Sequence, residues 1–180
     1  MPSTPAPTTS PTLPEGYALH SGYPAIPDYC HLRAASGLTP KTPVQAAPVA
    51  TGSWYGCYIT YDGSKENDSG SDSLGASAKP KPVAMGRVIG DGGWYFHIVD
   101  MAVLPEHQRR GLGDAVLKNL LAHIDQHAPA GYRCINLLAD PPGRKLYERN
   151  GFIGDGKNDQ VGLGMMVRRE LADTEFRREE

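Results

Sequence analysis

Long apolar runs are missing from this chain of 180 residues. No uninterrupted stretch approaches the roughly 18 residues that a membrane-spanning helix requires. A surplus of one charge sign is missing too: 18 Lys and Arg stand against 20 Asp and Glu, for a net charge of −2. Recognition of a phosphate backbone needs clustered cations, and the basic residues never run beyond adjacent pairs such as Arg109-Arg110. Neither nucleic acid nor an anionic membrane surface is therefore expected as a partner. The opening Met1-Pro2-Ser3-Thr4-Pro5 has neither the basic start nor the apolar stretch of a secretory signal. Cysteine is scarce: Cys30, Cys57 and Cys134 are odd in number, far apart, and form no Cys-x-x-Cys pair. That excludes a disulfide framework and suits free, buried thiols in a reducing compartment, so a cytoplasmic location is expected. No internal repeat is present, and the 21 glycines show no three-residue period, which rules out collagen.

What is present points to one globular domain. Residues 1–15, with five prolines and many Ser and Thr, read as a flexible tail outside the core. The domain is expected over residues 16–172, with a solvated, mobile loop at 62–80 and a charged tail at 173–180. Strands are predicted at Gly16–His20, Trp54–Tyr61, Val83–Ile89, Trp94–Val103, Cys134–Leu138 and Val161–Arg168. Asp91-Gly92-Gly93 makes a hairpin of the third and fourth. Helices are predicted over 27–37, 42–50, Gly111–His127 and Pro142–Arg149. Leu112, Val116, Leu117, Leu120, Leu121 and Ile124 recur at helical spacing, which gives the third of these an apolar face.

The chemistry concentrates in Asp100-Met101-Ala102-Val103-Leu104-Pro105-Glu106-His107-Gln108-Arg109-Arg110-Gly111-Leu112-Gly113. An apolar strand stops at Pro105, and a Gln-Arg-Arg-Gly-Leu-Gly turn then opens the amphipathic helix. The first N–H groups of a helix lack internal partners and carry partial positive charge. Glycines there admit a phosphate closely, and Arg109 and Arg110 add countercharge. By itself the turn is equally consistent with two glycines that break a loop before a helix. It is not a nucleotide P-loop, since no Gly-Lys-Ser/Thr follows, and the dinucleotide Gly-x-Gly-x-x-Gly spacing fails at Val116. Downstream stands Leu146-Tyr147-Glu148-Arg149-Asn150-Gly151-Phe152.

An Ala-Val-x-Pro strand end, a Gln-x-x-Gly-x-Gly turn, a helix, a strand, and then Tyr-x-x-x-Gly-Phe resemble the GNAT superfamily of acetyl-coenzyme A-dependent N-acetyltransferases. The resemblance is close over Val83–Phe152 and looser from Gly16 to Leu171. It implies an α/β (α+β) GNAT fold, a mixed central sheet of about six or seven strands flanked by about four helices. It further implies an acyltransferase that uses acetyl-coenzyme A as co-substrate and no metal. The pyrophosphate would rest on Gln108 and the backbone N–H groups of Arg109, Arg110, Gly111, Leu112 and Gly113, with Asp114 in the first helical turn. The strand Met101-Ala102-Val103 would be splayed from its neighbour, leaving Met101 N–H for the thioester carbonyl and Val103 for the pantetheine arm. A donor at that carbonyl stabilises the developing oxyanion. Tyr147 matches the general acid that protonates the leaving thiolate. In several members the strand position of His97 carries the base. Strand alternation puts His97 on one face with Tyr95, Val99 and Met101, and Asp100 on the other. The distance from His97 along the strand suits proton removal from the amine through one or two waters.

Two positions depart from the family pattern. Asp140 stands where many relatives carry Asn, and an ionised carboxylate only accepts hydrogen bonds. Gly143 replaces Ala, a mild change beside the pantetheine arm. Asp100 and Glu106 are weaker base candidates. His123 and His127 have i, i+4 metal-ligand spacing but no apparent third ligand, and Cys134 reads as core.

The acceptor is expected near Tyr29–Val44 and Ile153–Gly162, where Asp155 and Asp159 could attract a cation. Tyr29, Trp54, Tyr55 and Tyr95 would suit a flat or cationic amine. An acidic single domain without accessory segments favours a small-molecule primary amine and direct attack in a ternary complex, in a monomer or homodimer. The alternatives are a protein lysine or N-terminal acetyltransferase and a non-catalytic coenzyme A-binding regulator. Fold alone does not fix the acceptor.

Overall fold

A computed structural model describes residues 12–63, 79–154 and 163–170. Most of the expected N-terminal tail, most of the 62–80 loop, the acceptor-side segment with Asp155 and Asp159, and the charged C-terminal tail lie outside the described residues. Six strands form one mixed sheet in sequence order: β1 (Tyr17–Ser21), β2 (Tyr55–Tyr61), β3 (Lys81–Gly90), β4 (Tyr95–Val103), β5 (Tyr132–Ala139) and β6 (Leu163–Glu170). Every neighbouring pair is antiparallel except β4 and β5. A parallel pair needs a crossover, and α4 (Leu112–His127) supplies it.

All six apolar positions expected on α4 are buried, together with Ala115. The helix packs on β2, β3 and β4. Gly86 of β3 allows that close approach: a Cβ there would fall 2.5 Å from the Met101 sulfur and 2.7 Å from Val116. The opposite face of β3 and β4 is covered by α1 (Ile26–Ala35), which buries Tyr29, Leu32 and Arg33. Pro27 sits in its first turn, and Gly37, at φ 88°, follows its end. The single helix expected over 42–50 is instead two separate turns, α2 (Pro43–Ala46) and α3 (Val49–Gly52), with Pro48 between them. The last helix, α5 (Arg144–Arg149), is preceded by a 3₁₀ turn over Pro141–Gly143.

The hairpin turn forms as expected. Gly92 takes φ 75°, and the Asp91 carboxylate accepts from the N–H groups of Gly93, Trp94 and Tyr95 at 2.8, 3.1 and 3.1 Å. Leu13, read as tail from its proline-rich surroundings, is partly buried against the core. One apolar side chain between prolines gives no periodicity, so its packing is a tertiary event.

Candidate active site at the splayed end of the sheet

Strands β4 and β5 pair only from Tyr95↔Cys134 to Ile98↔Leu137. Beyond that point β5 keeps its ladder with β6, and β4 keeps its ladder with β3. The expected splay is therefore present: after Ile98 the edge of β4 that faces β5 has no ladder partner among the described residues. A cavity of about 660 Å³ occupies the wedge. Ile98, Val99, Met101 and Val103 form its β4 side, and Leu138 lies at the end of β5.

The strand also contains a bulge. Met85 pairs with Ala102 and Arg87 with Val99, so two steps on β3 match three on β4. Asp100 absorbs the extra residue at φ 55°, a left-handed conformation that Asp tolerates better than most. The bulge corrects the expected faces. Met101 touches the α4 side, at Gly86, and shares it with Ile98, which pairs with Val88. Asp100 turns instead to α1, with Val99 and His97. Strand alternation fails here because it assumes an unbroken ladder.

The glycine turn forms the floor of the cavity. A 3₁₀ turn over Pro105–His107 leads into Arg109 at φ 62° and Gly111 at φ 80°. The Gly111 carbonyl accepts the first α4 bond, from Ala115 N at 3.0 Å. A Cβ on Gly111 would meet nothing within 4 Å among the described residues, which leave the space over the helix start open. Gln108, Arg109, Gly111, Leu112, Gly113 and Asp114 line the cavity, whereas Ala102 and Arg110 do not. The Gln108 amide turns back and donates to the Val103 carbonyl at 3.1 Å, pinning the turn to the strand end. Asp114 accepts from Asn150 at 2.9 Å and from Lys118 at 2.6 Å. Burial alone would raise its carboxyl, but these partners and Arg149 hold it below its ordinary value, so it is ionised and neutralised. The Asn150 bond also joins the end of α5 to the start of α4.

Tyr147 lines the same cavity from α5, with Asp140 and Gly143. It is 8% exposed, and its ring meets Phe152 edge-on at 6.0 Å. Burial, with the Asp140 carboxylate adding to it, pushes the phenol up to about 12. A Cβ on residue 143 would lie 3.1 Å from the Tyr147 ring, so the glycine relieves crowding against the tyrosine.

His97 lines neither of the cavities described here. Its Nδ1 lies 2.5 Å from Asn136 Oδ1. An amide oxygen only accepts, so Nδ1 carries the proton and, in the neutral ring, Nε2 keeps a lone pair. Asp100 sits in an ionic cluster. Arg33 and Tyr29 donate to its carboxylate, and Arg87 Nε does so at 2.5 Å. Burial raises this carboxyl, but Tyr29, Arg87 and Arg33 outweigh it and hold it low. The same burial, with Asp100, pushes the Tyr29 phenol to about 12. This cluster walls a smaller cavity of about 240 Å³ with Lys41, Gln45, Ala46 and Val49. Asp100 belongs to both cavities.

Of the four aromatics, only Tyr29 reaches the smaller cavity. Trp54 packs on Phe96 and His123, Tyr55 stacks on His123 at 3.5 Å, and Tyr95 is exposed. They form no cage. His123 and His127 stack on each other, and among the described residues no group of three ligand-type side chains gathers. Cys57 is buried and its thiol is pushed to about 12, whereas Cys30 and Cys134 are half-buried. Glu106 is exposed in the 3₁₀ turn. The site residues that sequence reasoning missed are Arg33, Arg87 and Arg149. Arg149 lines the large cavity beside Arg109. Its place in the Tyr147 motif was visible; the other two lie on elements that only the fold brings to Asp100.

A family model of the acetyltransferase (GNAT) domain matches residues 70–153. No curated protein sequence matches the chain significantly. Among solved structures, a protein of meticillin-resistant Staphylococcus aureus described as a probable acetyltransferase is 30% identical. The match covers 81% of this chain and 96% of that one, with a TM-score of 0.64. The ribosomal-protein-S18-alanine N-acetyltransferase of Escherichia coli shares the fold at 17% identity, 87% and 96% coverage and a TM-score of 0.62. A GNAT family N-acetyltransferase of Escherichia coli, solved in complex with CoA, does so at 15% identity, 89% and 84% coverage and a TM-score of 0.57. The staphylococcal likeness over nearly that whole chain, joined to the family match across β3 to α5, identifies this protein as a member of the GNAT acetyltransferase superfamily.

Proposed function

We propose that the protein is an acetyl-coenzyme A-dependent N-acetyltransferase that acetylates the primary amine of a small molecule by direct attack in a ternary complex. The observation that carries this reading is the single cavity shared by the splayed β4 edge, the glycine turn and Tyr147. Its residues fit coenzyme A. The open space above Gly111 and the unpaired N–H groups of α4 suit a pyrophosphate, with Arg109 and Arg149 as countercharge. The unladdered edge of β4 suits an extended amide-bearing arm. When bound, the co-substrate supplies an activated acetyl thioester.

The protein's own tasks are then three. Met101 N–H donates to the carbonyl oxygen as negative charge develops on it. Tyr147 is held as the neutral phenol by burial and donates its proton to the departing sulfur. His97, with its Nε2 lone pair, takes the amine proton through water, since it reaches neither cavity directly. Ionised Asp100 is committed to two arginines and is a poor base. The test is coenzyme A release over amines, amino acids, aminoglycosides and basic peptides. Turnover confined to peptides would move the assignment to a protein acetyltransferase. Binding of the coenzyme without any turnover would make the chain a regulator.

A further inference from the structure

The smaller cavity has a composition that the transferase reading leaves unexplained. An enzyme that merely accepted an ammonium would be expected to offer carboxylates or aromatic faces. Here the wall carries Arg33, Lys41 and Arg87 against one carboxylate, Asp100. Tyr29 is held neutral by burial, so the formal charge of the lining is three cations minus one anion.

The donors are not all consumed. Arg87 uses Nε on Asp100 and Tyr29 and Nη1 on Ser53 Oγ at 3.0 Å, and its Nη2 has no acceptor among the described residues. Arg33 is 8% exposed and holds the Thr39 carbonyl through Nε and Nη2, at 3.2 and 3.0 Å. That bond fixes the loop after α1 to the cluster. Lys41 stands exposed at the rim and is unpaired among the described residues. Asp100 aligns the two guanidinium groups without cancelling them. It is also the wall shared with the large cavity, and the next residue is Met101, one Cα step of about 3.8 Å away.

We propose that this cavity binds the carboxylate of the acceptor, so that the substrate is a small amino carboxylate whose amine lies a few bonds from the acid. The inference rests on the transferase reading and names its substrate class. The size agrees: about 240 Å³ is the share of roughly eight water molecules, enough for an amino-acid-sized group. The charge serves the chemistry as well. Planar guanidinium donors recognise a carboxylate through paired hydrogen bonds. The surplus positive charge disfavours the ammonium form of the nearby amine, which must be neutral to attack.

The test uses the full-length protein, saturating acetyl-coenzyme A, and coenzyme A release as readout. Acceptors are the common L-amino acids and β-alanine, each against its carboxamide, with putrescine and a short basic peptide as amines lacking a nearby carboxylate. The expected result is a kcat/KM for the best amino acid about tenfold or more above its carboxamide, as suits a charge-assisted contact. Lys41→Ala leaves the folded interior untouched and should raise KM for the amino acid by a larger factor than that for the carboxamide. Arg87→Gln should remove most of the preference while the coenzyme-induced rise in melting temperature stays, which shows that the fold and the coenzyme site survive. Equal turnover of acids and carboxamides, or preference for putrescine or peptide, overturns this inference and leaves the transferase reading standing. A preference that persists in both variants overturns the assignment to this cavity. Silence from every amine removes the transferase reading and this inference together.

Discussion

Replacing Tyr147 by Phe separates chemistry from packing more cleanly than any other change in this protein. The ring would keep its burial and its edge-on contact with Phe152. The hydroxyl has no hydrogen-bond partner among the described residues, so its removal breaks no bond among them. The expected change in stability is within about 0.5 kcal/mol, as for substitutions that remove no named interaction. The expected change in turnover is large. General acid catalysis contributes about 10²–10⁴-fold, equivalent to roughly 2.7–5.4 kcal/mol of barrier. Because burial pushes the phenol up to about 12, it stays protonated throughout the usual assay range, and no alkaline limb in that range should belong to it. Steady-state release of coenzyme A gives kcat, single-turnover mixing shows whether chemistry limits it, and calorimetry gives the affinity for coenzyme A. The reasoning requires kcat to fall while affinity and melting temperature hold. A kcat within about threefold of the parent, with chemistry rate-limiting, amounts to less than about 0.7 kcal/mol and refutes the acid role. An equal loss in affinity would make Tyr147 a binding residue instead.

Three further outcomes follow from the same geometry. Coenzyme A at about a hundred times its Kd should stabilise the protein by about 2.7 kcal/mol, a rise of roughly 5–10 °C for a domain of this size. Gly111→Val combined with Gly113→Val should abolish that rise in a thermal melt, since Gly111 holds φ 80° beside space that a branched side chain would fill, and a Cβ on Gly113 would already lie 3.4 Å from Leu146 and 3.6 Å from Val103 at the cavity wall. An unchanged shift would defeat the cradle. His97→Ala should slow turnover most near neutral pH and least at high pH, where free amine is abundant. A low-pH limb that persists unaltered assigns the base elsewhere. Finally, Tyr29, Cys57 and Tyr147 are all raised to about 12 in the fold. Unfolded thiols and phenols ionise from about pH 9 to 10, so the unfolded chain then binds fewer protons than the folded one. Stability should be full below pH 9 and fall as pH rises from there through 12, by about 1.4 kcal/mol per unit for each group between its two values. Urea midpoints that stay level to pH 11 would contradict the burial of these groups.

The sequence by itself determined the elements whose signals are local. The apolar stripe of α4, the Asp91-Gly92-Gly93 turn, the stop at Pro105 and the glycines of the next turn are short-range patterns that need no knowledge of the rest of the chain. The same locality made the superfamily legible, because its two motifs lie within adjacent elements. It also put Tyr147 and the glycine turn at one cavity, since a crossover helix between parallel strands leaves little choice about which ends meet. Only the tertiary structure decided the faces of β4. A bulge depends on the partner strand, and nothing in Val99-Asp100-Met101 announces that β3 will spend two residues against three. That one irregularity turns Asp100 to α1 and Met101 to α4. It also creates the ionic cluster, whose members Arg33 and Arg87 stand 67 and 13 residues from Asp100 in the chain. Charge pairing across such separations leaves no periodic trace. It appears only when the sheet and α1 close over it, because burial is what turns two arginines and an aspartate, ordinary surface residues, into a fixed, oriented site.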